Sequence, residues 1–232
     1  MKTWLNDPSF GILLTLAVFV FYSYLFHGKK NPLLNPILFS MATIIAILAL
    51  GNIPLDYYSQ GADNISFLLG PVTVALALPL YRELDLLKLH MVPILVGVFL
   101  GILAGFASIY LLGKLFHFTP TLMVSPLPKS TTMAIAVGLS ENFGGDPALT
   151  TIYVIIAGNM GFMFGPFLLK ILGIKHKTSY GLGLGSSSHA IGTNRAMEAG
   201  PTEGAMGSLA IGLAGLMTSF LFPFVLPLFI WN

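Results

Sequence analysis

Six stretches of this 232-residue chain contain no Asp, Glu, Lys, Arg or His: 8–26, 31–55, 64–81, 91–113, 147–169 and 204–232. An α-helix rises 1.5 Å per residue, so a run of ~20 apolar residues crosses the ~30 Å hydrocarbon core of a bilayer. Helices in a soluble protein would each need a polar face. Here charged residues make up only 9% of the chain and the mean hydropathy is +0.85, whereas soluble domains carry roughly 25% charged residues. The solvent is therefore lipid. The pattern predicts an all-α, polytopic membrane protein, one integral membrane domain over 1–232, with about six spans at 10–26, 36–53, 65–81, 91–112, 148–170 and 206–230. A soluble enzyme is excluded. A net charge of +2 with no Lys/Arg run longer than two residues argues against nucleic acid as a partner. The chain has no cysteine and no two histidines at ligand spacing, so no metal centre and no cofactor are expected. The opening MKTWLNDPSF lacks the features of a cleaved signal peptide. Pro8 suits a helix start there, and Trp4 an interfacial position.

Lys and Arg in short loops set the expected orientation. Lys29 and Lys30 follow the first span, Arg82 and Lys88 the third, and Lys170, Lys175 and Lys177 the fifth, whereas 54–64 carries Asp56 and Asp63 and no base. With the basic loops cytoplasmic, 113–147 begins and ends outside and 173–203 begins and ends inside. Segment 124–141 then dips in from outside and 186–200 from the cytoplasm. That is an inverted-topology pair, an architecture used by secondary transporters.

The composition of the two dipping segments is unusual for lipid. Pro126 and Pro128 interrupt any continuous helix, and Lys129, Ser130, Thr131 and Thr132 follow at a helix start. In the second segment the glycines of GLGLG lead into Ser186, Ser187 and Ser188, read as helix N-caps. His189, Thr193, Asn194, Arg195 and Glu198 come next, and Gly200 and Pro201 end the helix. Broken helices at membrane depth survive where they line a wet cavity, and their N-termini attract anions. Lys129 on one segment and Arg195 on the other therefore read as an anion site, with Arg195 the principal carboxylate ligand through its planar fork. His189, Glu198 and Glu141 are the candidate proton-coupling groups. An Arg195–Glu198 pair at i, i+3 can equally be structural. Polar half-helices can line a selective channel as well as a carrier.

Gly97, Gly101 and Gly105 form a G-x-x-x-G-x-x-x-G ridge, Gly161 and Gly165 another, and Gly204, Ser208 and Gly212 a third. Each predicts close helix packing, within the chain or in a homo-oligomer or partner seam. Intramembrane nucleophilic catalysis by Ser186–Ser188 and His189 is not expected: neighbouring helical residues point apart, and no strand-turn-helix elbow is present.

Three stretches carry a resemblance: FLLGPVTVALALPLY (67–81), PKSTTMAIA (128–136) and SSSHAIGTNRAMEAGPTEGAMGSLAIGLAG (186–215). With them the chain resembles the LrgB/CidB family of bacterial inner-membrane proteins. The resemblance implies antiholin-like regulation of murein hydrolase export and lysis, beside a small hydrophobic membrane protein of the LrgA/CidA type. It also implies carriage of small acids. A plastid relative in which both parts are fused is a glycolate/glycerate translocator, and some bacterial members are linked to pyruvate. The residues favour the transport side, a subunit for small monocarboxylates, with a lytic regulator lacking its own substrate site as the alternative.

Overall fold

The computed structural model describes residues 7–28, 34–68 and 91–230, with isolated positions 71, 81, 85 and 88. Trp4, Lys29, Lys30, Arg82 and most of the predicted span at 65–81 lie outside these. Every described element is helical, and the chain divides into two compact units, 1–75 and 76–232.

The first unit holds α1 (Pro8–Leu25), α2 (Pro36–Leu50) and α3 (Leu55–Ser66). α1 and α2 each open on a proline behind a capping side chain. The Asp7 carboxylate accepts from the Ser9 N–H at 2.8 Å, and Asn35 Oδ1 accepts from the Ile37 N–H at 2.9 Å. α1 is long and apolar enough to cross a bilayer; α2, with 15 residues, is shorter than a typical span. α3 corrects the reading of 54–64 as a loop. Gly11 and Gly61 let α1 and α3 cross backbone to backbone: a methyl on Gly11 would strike the Tyr58 carbonyl, and one on Gly61 the Pro8 carbonyl. A 2.9 Å hydrogen bond between the Thr15 and Tyr58 hydroxyls fixes the register.

The second unit holds α4 (Met91–Leu115), α5 (Pro120–Val124), α6 (Met133–Asn142), α7 (Pro147–Ile171), α8 (Lys177–Ala199), α9 (Pro201–Val225) and α10 (Pro227–Ile230). α4, α7 and α9 are each 25 residues long and apolar, so with α1 the described residues contain four candidate spans. The polytopic, all-α class is borne out; a count of six is not reached among the described residues.

Both segments expected to dip are broken helical hairpins, with revised bounds. α8 is a hairpin rather than one rod. Its backbone leaves helical geometry at Ser188 (φ −138°, ψ 19°) and His189 (φ 44°, ψ −137°). A methyl on Gly192 would collide with the Leu184 carbonyl, eight residues earlier, which a straight helix places about 12 Å away. The entering arm, 177–187, therefore turns at 188–189 and returns as 190–199. Eleven residues rise about 16 Å, half the hydrocarbon thickness. The entering arm runs antiparallel to α7, with Leu184 against Gly165, Ser188 against Gly161 and His189 against Gly158.

The other segment descends through 125–132 on successive i→i+3 bonds (Leu127 N–H to Val124 O, Lys129 to Pro126, Thr131 to Pro128) and returns as α6. Its base is tied to the opposite, N-terminal end of α7. Ser125 Oγ accepts from the Asp146 N–H at 2.8 Å, Thr150 Oγ1 lies 3.0 Å from the Ser125 carbonyl, and the Thr150 and Ser140 hydroxyls meet at 2.6 Å. The two hairpins thus enter from opposite ends of α7 and turn near its middle.

The glycine ridges divide. Gly161 and Gly165 receive the α8 hairpin, and Gly204 packs against Met197. At Gly97, Gly101 and Gly212 an added methyl would meet nothing within 4 Å, so these three do not form a seam within the described residues.

Candidate functional site

The two turning regions share a cavity of about 190 Å³, far above the ~10–15 Å³ that one water needs. Lys129 and Ser130 enter it from the first hairpin, Ser186 and Ser187 from the second. Its apolar wall is Ile102 and Phe106 of α4 with Leu127, and Thr218 of α9 closes it. Gly101 and Gly105 leave the α4 side bare; a methyl on Gly105 would stand 3.9 Å from Lys129 Nζ. A larger groove of about 380 Å³ beside Leu103, Tyr110 and Leu228 is almost wholly apolar and offers no cation.

The chain places Lys129 by local chemistry. Pro126 and Pro128 forbid an α-helix through the descent, Ser125 is fixed at its top by the hydroxyl knot, and Thr132 caps α6 by accepting from the Ile135 N–H at 3.5 Å. The buried Thr131 donates to the Pro128 carbonyl at 2.8 Å, so its hydroxyl holds the turn. Among the described residues Lys129 has no carboxylate partner, and its ammonium makes no hydrogen bond. A cation in an apolar wall is costly unless an anion or water meets it.

The second hairpin corrects one expectation. Ser186, Ser187 and Ser188 do not cap a helix that follows the glycines, because GLGLG is itself helical. Gly181 and Gly185 let α8 approach α9 to backbone contact, at the carbonyls of Glu203 and Gly207. In a helix already begun, Ser186 and Ser187 donate back to the carbonyls of Leu182 and Gly183 at 2.6 and 2.7 Å. The break falls at Ser188–His189, where glycine-spaced α7 leaves room.

His189 is buried, and its Nε2 lies 2.9 Å from the Val154 carbonyl, which only accepts, so that nitrogen carries the proton. Arg195 pairs with Glu198 and stacks over the Phe162 ring at 5.5 Å. Neither Arg195 nor Asn194 lines the cavity; Asn194 and Glu141 are exposed. Thr193 is buried against Gly207 with its hydroxyl unpaired. The structure therefore brings together Lys129, Ser130, Ser186 and Ser187, and leaves Arg195 outside that group. Thr218 was missed by sequence reasoning; the pair of hydroxyls, Thr218 and Ser219, in the apolar run LMTSFLF was its signal.

A helical membrane protein with two opposed broken helices and a cationic cavity at their turns is the class these features define. The model of the LrgB-like family matches residues 15–228, and the chain belongs to that family. An uncharacterized protein of Haemophilus influenzae is 40% identical over 219 residues, covering 92% of this chain and 93% of its own. YxaC of Bacillus subtilis, also uncharacterized, is 38% identical over 94% of this chain and 95% of its own. A Bacillus mycoides protein named antiholin-like protein LrgB is 35% identical over 95% and 96%. No solved structure matches the chain.

Proposed function

We propose that this protein is a secondary-transport subunit for small monocarboxylates such as glycolate, glycerate or pyruvate, seated in the bacterial inner membrane. The observation that carries the reading is the Lys129 ammonium, without a protein counter-charge among the described residues, in a hydroxyl-bearing cavity between two opposed hairpins. The returning arms of both hairpins begin at their turns, so the positive ends of two helix dipoles lie at the same depth. Lys129 holds the carboxylate, with Ser130, Ser186 and Ser187 around it. Thr131 and Thr132 shape the turn. The Arg195 fork is engaged by Glu198, so it is free for a substrate carboxylate only when that pair opens; Thr193, Asn194, His189, Glu198 and Glu141 then belong to another stage of the cycle. No bond is made or broken, and the protein acts as a carrier rather than an enzyme.

The carrier works with a small LrgA/CidA-like membrane protein and self-associates. Radiolabelled glycolate or pyruvate uptake into vesicles tests this directly. Saturable uptake is expected that rises when the small protein is co-expressed, and both proteins are expected to purify together in mild detergent. Uptake no faster than in empty vesicles, in either condition, removes the transport reading.

A second reading is favoured by the name of the Bacillus relatives, antiholin-like protein. In it the chain governs lysis through a partner without a site of its own, and Lys129 variants that insert normally leave lysis timing unchanged.

Orientation follows the basic loops. Single cysteines at the exposed Asn64, Asn142 and Lys175 test it, since the chain has no cysteine. Impermeant thiol reagents are expected to reach positions 64 and 142 from outside and 175 only from the cytoplasm. Labelling of position 175 from outside reverses the assignment for the second unit.

A further inference from the structure

Thr218 is 3% exposed, lies on the long helix α9 and lines the cavity. Its hydroxyl makes no hydrogen bond with any described residue, yet it is not sealed from the cavity space. The neighbouring serines contrast with it: Ser186 and Ser187 spend their protons on helix carbonyls, whereas Thr218 keeps both its donor and its acceptor capacity open. A buried hydroxyl in that state is unstable unless water or a ligand meets it. The β-branched side chain is restricted to two χ1 rotamers inside a helix, so little side-chain freedom is lost when a ligand binds.

We propose that Thr218 is the specificity residue of this cavity. It hydrogen-bonds the oxygen on the carbon next to the carboxylate and so selects 2-hydroxy and 2-oxo acids over plain fatty acids of the same length. The inference rests on the carboxylate reading of Lys129 and assigns a separate group to the second oxygen. A hydroxyl suits this task because it donates to a keto oxygen and either donates to or accepts from a hydroxyl. Sites built to pair a substrate oxygen discriminate strongly against the analogue that lacks it, because the protein group is then left unpaired.

The test is equilibrium binding of radiolabelled glycolate and acetate, and of lactate and propionate, to the full chain reconstituted in liposomes. The wild type is expected to bind glycolate and lactate more tightly than acetate and propionate. Thr218→Val keeps the shape and removes the hydroxyl. It is expected to weaken glycolate and lactate about tenfold and to leave acetate and propionate within about twofold. Thr218→Ser keeps the hydroxyl and is expected to retain the preference. Thr218→Ala gives the same comparison should the valine variant fail to insert. Equal weakening of all four acids, or of none, overturns the assignment of Thr218. The parent reading is judged separately by Lys129→Gln, which is expected to weaken all four alike. Wild-type protein that binds none of them overturns both.

Discussion

Replacing Lys129 with glutamine is expected to remove carboxylate binding while leaving the fold intact. The ammonium contacts no carboxylate among the described residues, so its loss breaks no ion pair within them. Gly105 and the cavity beside it give a neutral side chain of similar length room to settle. Removing one partner of a buried charged hydrogen bond costs ~2–5 kcal/mol, about thirtyfold to several-thousandfold in affinity. Lys129→Arg keeps the charge but replaces a compact ammonium with a longer planar fork that places its donors differently, and intermediate affinity is expected. Arg195→Ala is expected to fall much less, because Arg195 stands outside the cavity, paired with Glu198 and stacked on Phe162. Binding isotherms for glycolate in the three variants, after insertion is confirmed, decide the matter. Full loss in Arg195→Ala with wild-type affinity in Lys129→Gln would move the anion site to the returning arm of α8.

Substitution of Gly185 by alanine is expected to be among the most damaging single changes to stability. The added methyl would meet the Gly207 carbonyl, and its other near neighbours are the Gly207 Cα at 2.7 Å and the Ala210 Cβ at 2.9 Å. None of these is the end of a flexible side chain, so α8 and α9 must move apart. Overpacking costs typically 1–3 kcal/mol and sometimes more, and here it outweighs the ~1 kcal/mol that alanine gains over glycine in a helix. The same reasoning covers Gly181, whose methyl would strike the Glu203 carbonyl. Gly212→Ala is the contrasting control. Among the described residues nothing stands within 4 Å of the methyl position, and the change is expected to be neutral or stabilising by up to ~1 kcal/mol. Thermal unfolding in one detergent, read side by side, checks both. Equal stability of the Gly185 and Gly212 variants would mean that α8 and α9 are not in backbone contact.

Much of this arrangement could be read from residue types. Pro8, Pro36, Pro147 and Pro201 each open a helix, and Asp7, Asn35, Thr132 and Asp146 each cap one, because capping depends on residues within three positions of each other. The prolines at 126 and 128, two residues apart, remove two backbone donors and break the i→i−4 pattern there, largely independently of distant residues. The glycine run at 181–185 was harder, because glycine lowers helix propensity by itself and only contact with α9 compensates for it. The ridge at Gly97–Gly105 has the same spacing as Gly161–Gly165, yet among the described residues only the latter packs against a neighbouring helix. Spacing records that close approach is allowed, not whether anything approaches.

The sequence by itself determined that the chain lives in lipid, that it is helical, that two segments cannot cross as plain spans, and that a lysine and several hydroxyls sit where one of them turns. Those properties follow from composition and from steric rules that act over a few residues. The tertiary structure decided where the α8 hairpin turns, because the break at Ser188–His189 depends on the room left by Gly158 and Gly161 of α7. It also decided what surrounds each of the two cations. Along the chain Arg195 reads as the principal carboxylate ligand with Lys129 opposite it, but a carboxylate three residues away and an aromatic ring on another helix engage Arg195, while among the described residues Lys129 faces hydroxyls and apolar walls. Whether a charge is available to a ligand depends on what the fold places around it, and residues far apart in the chain supply those surroundings.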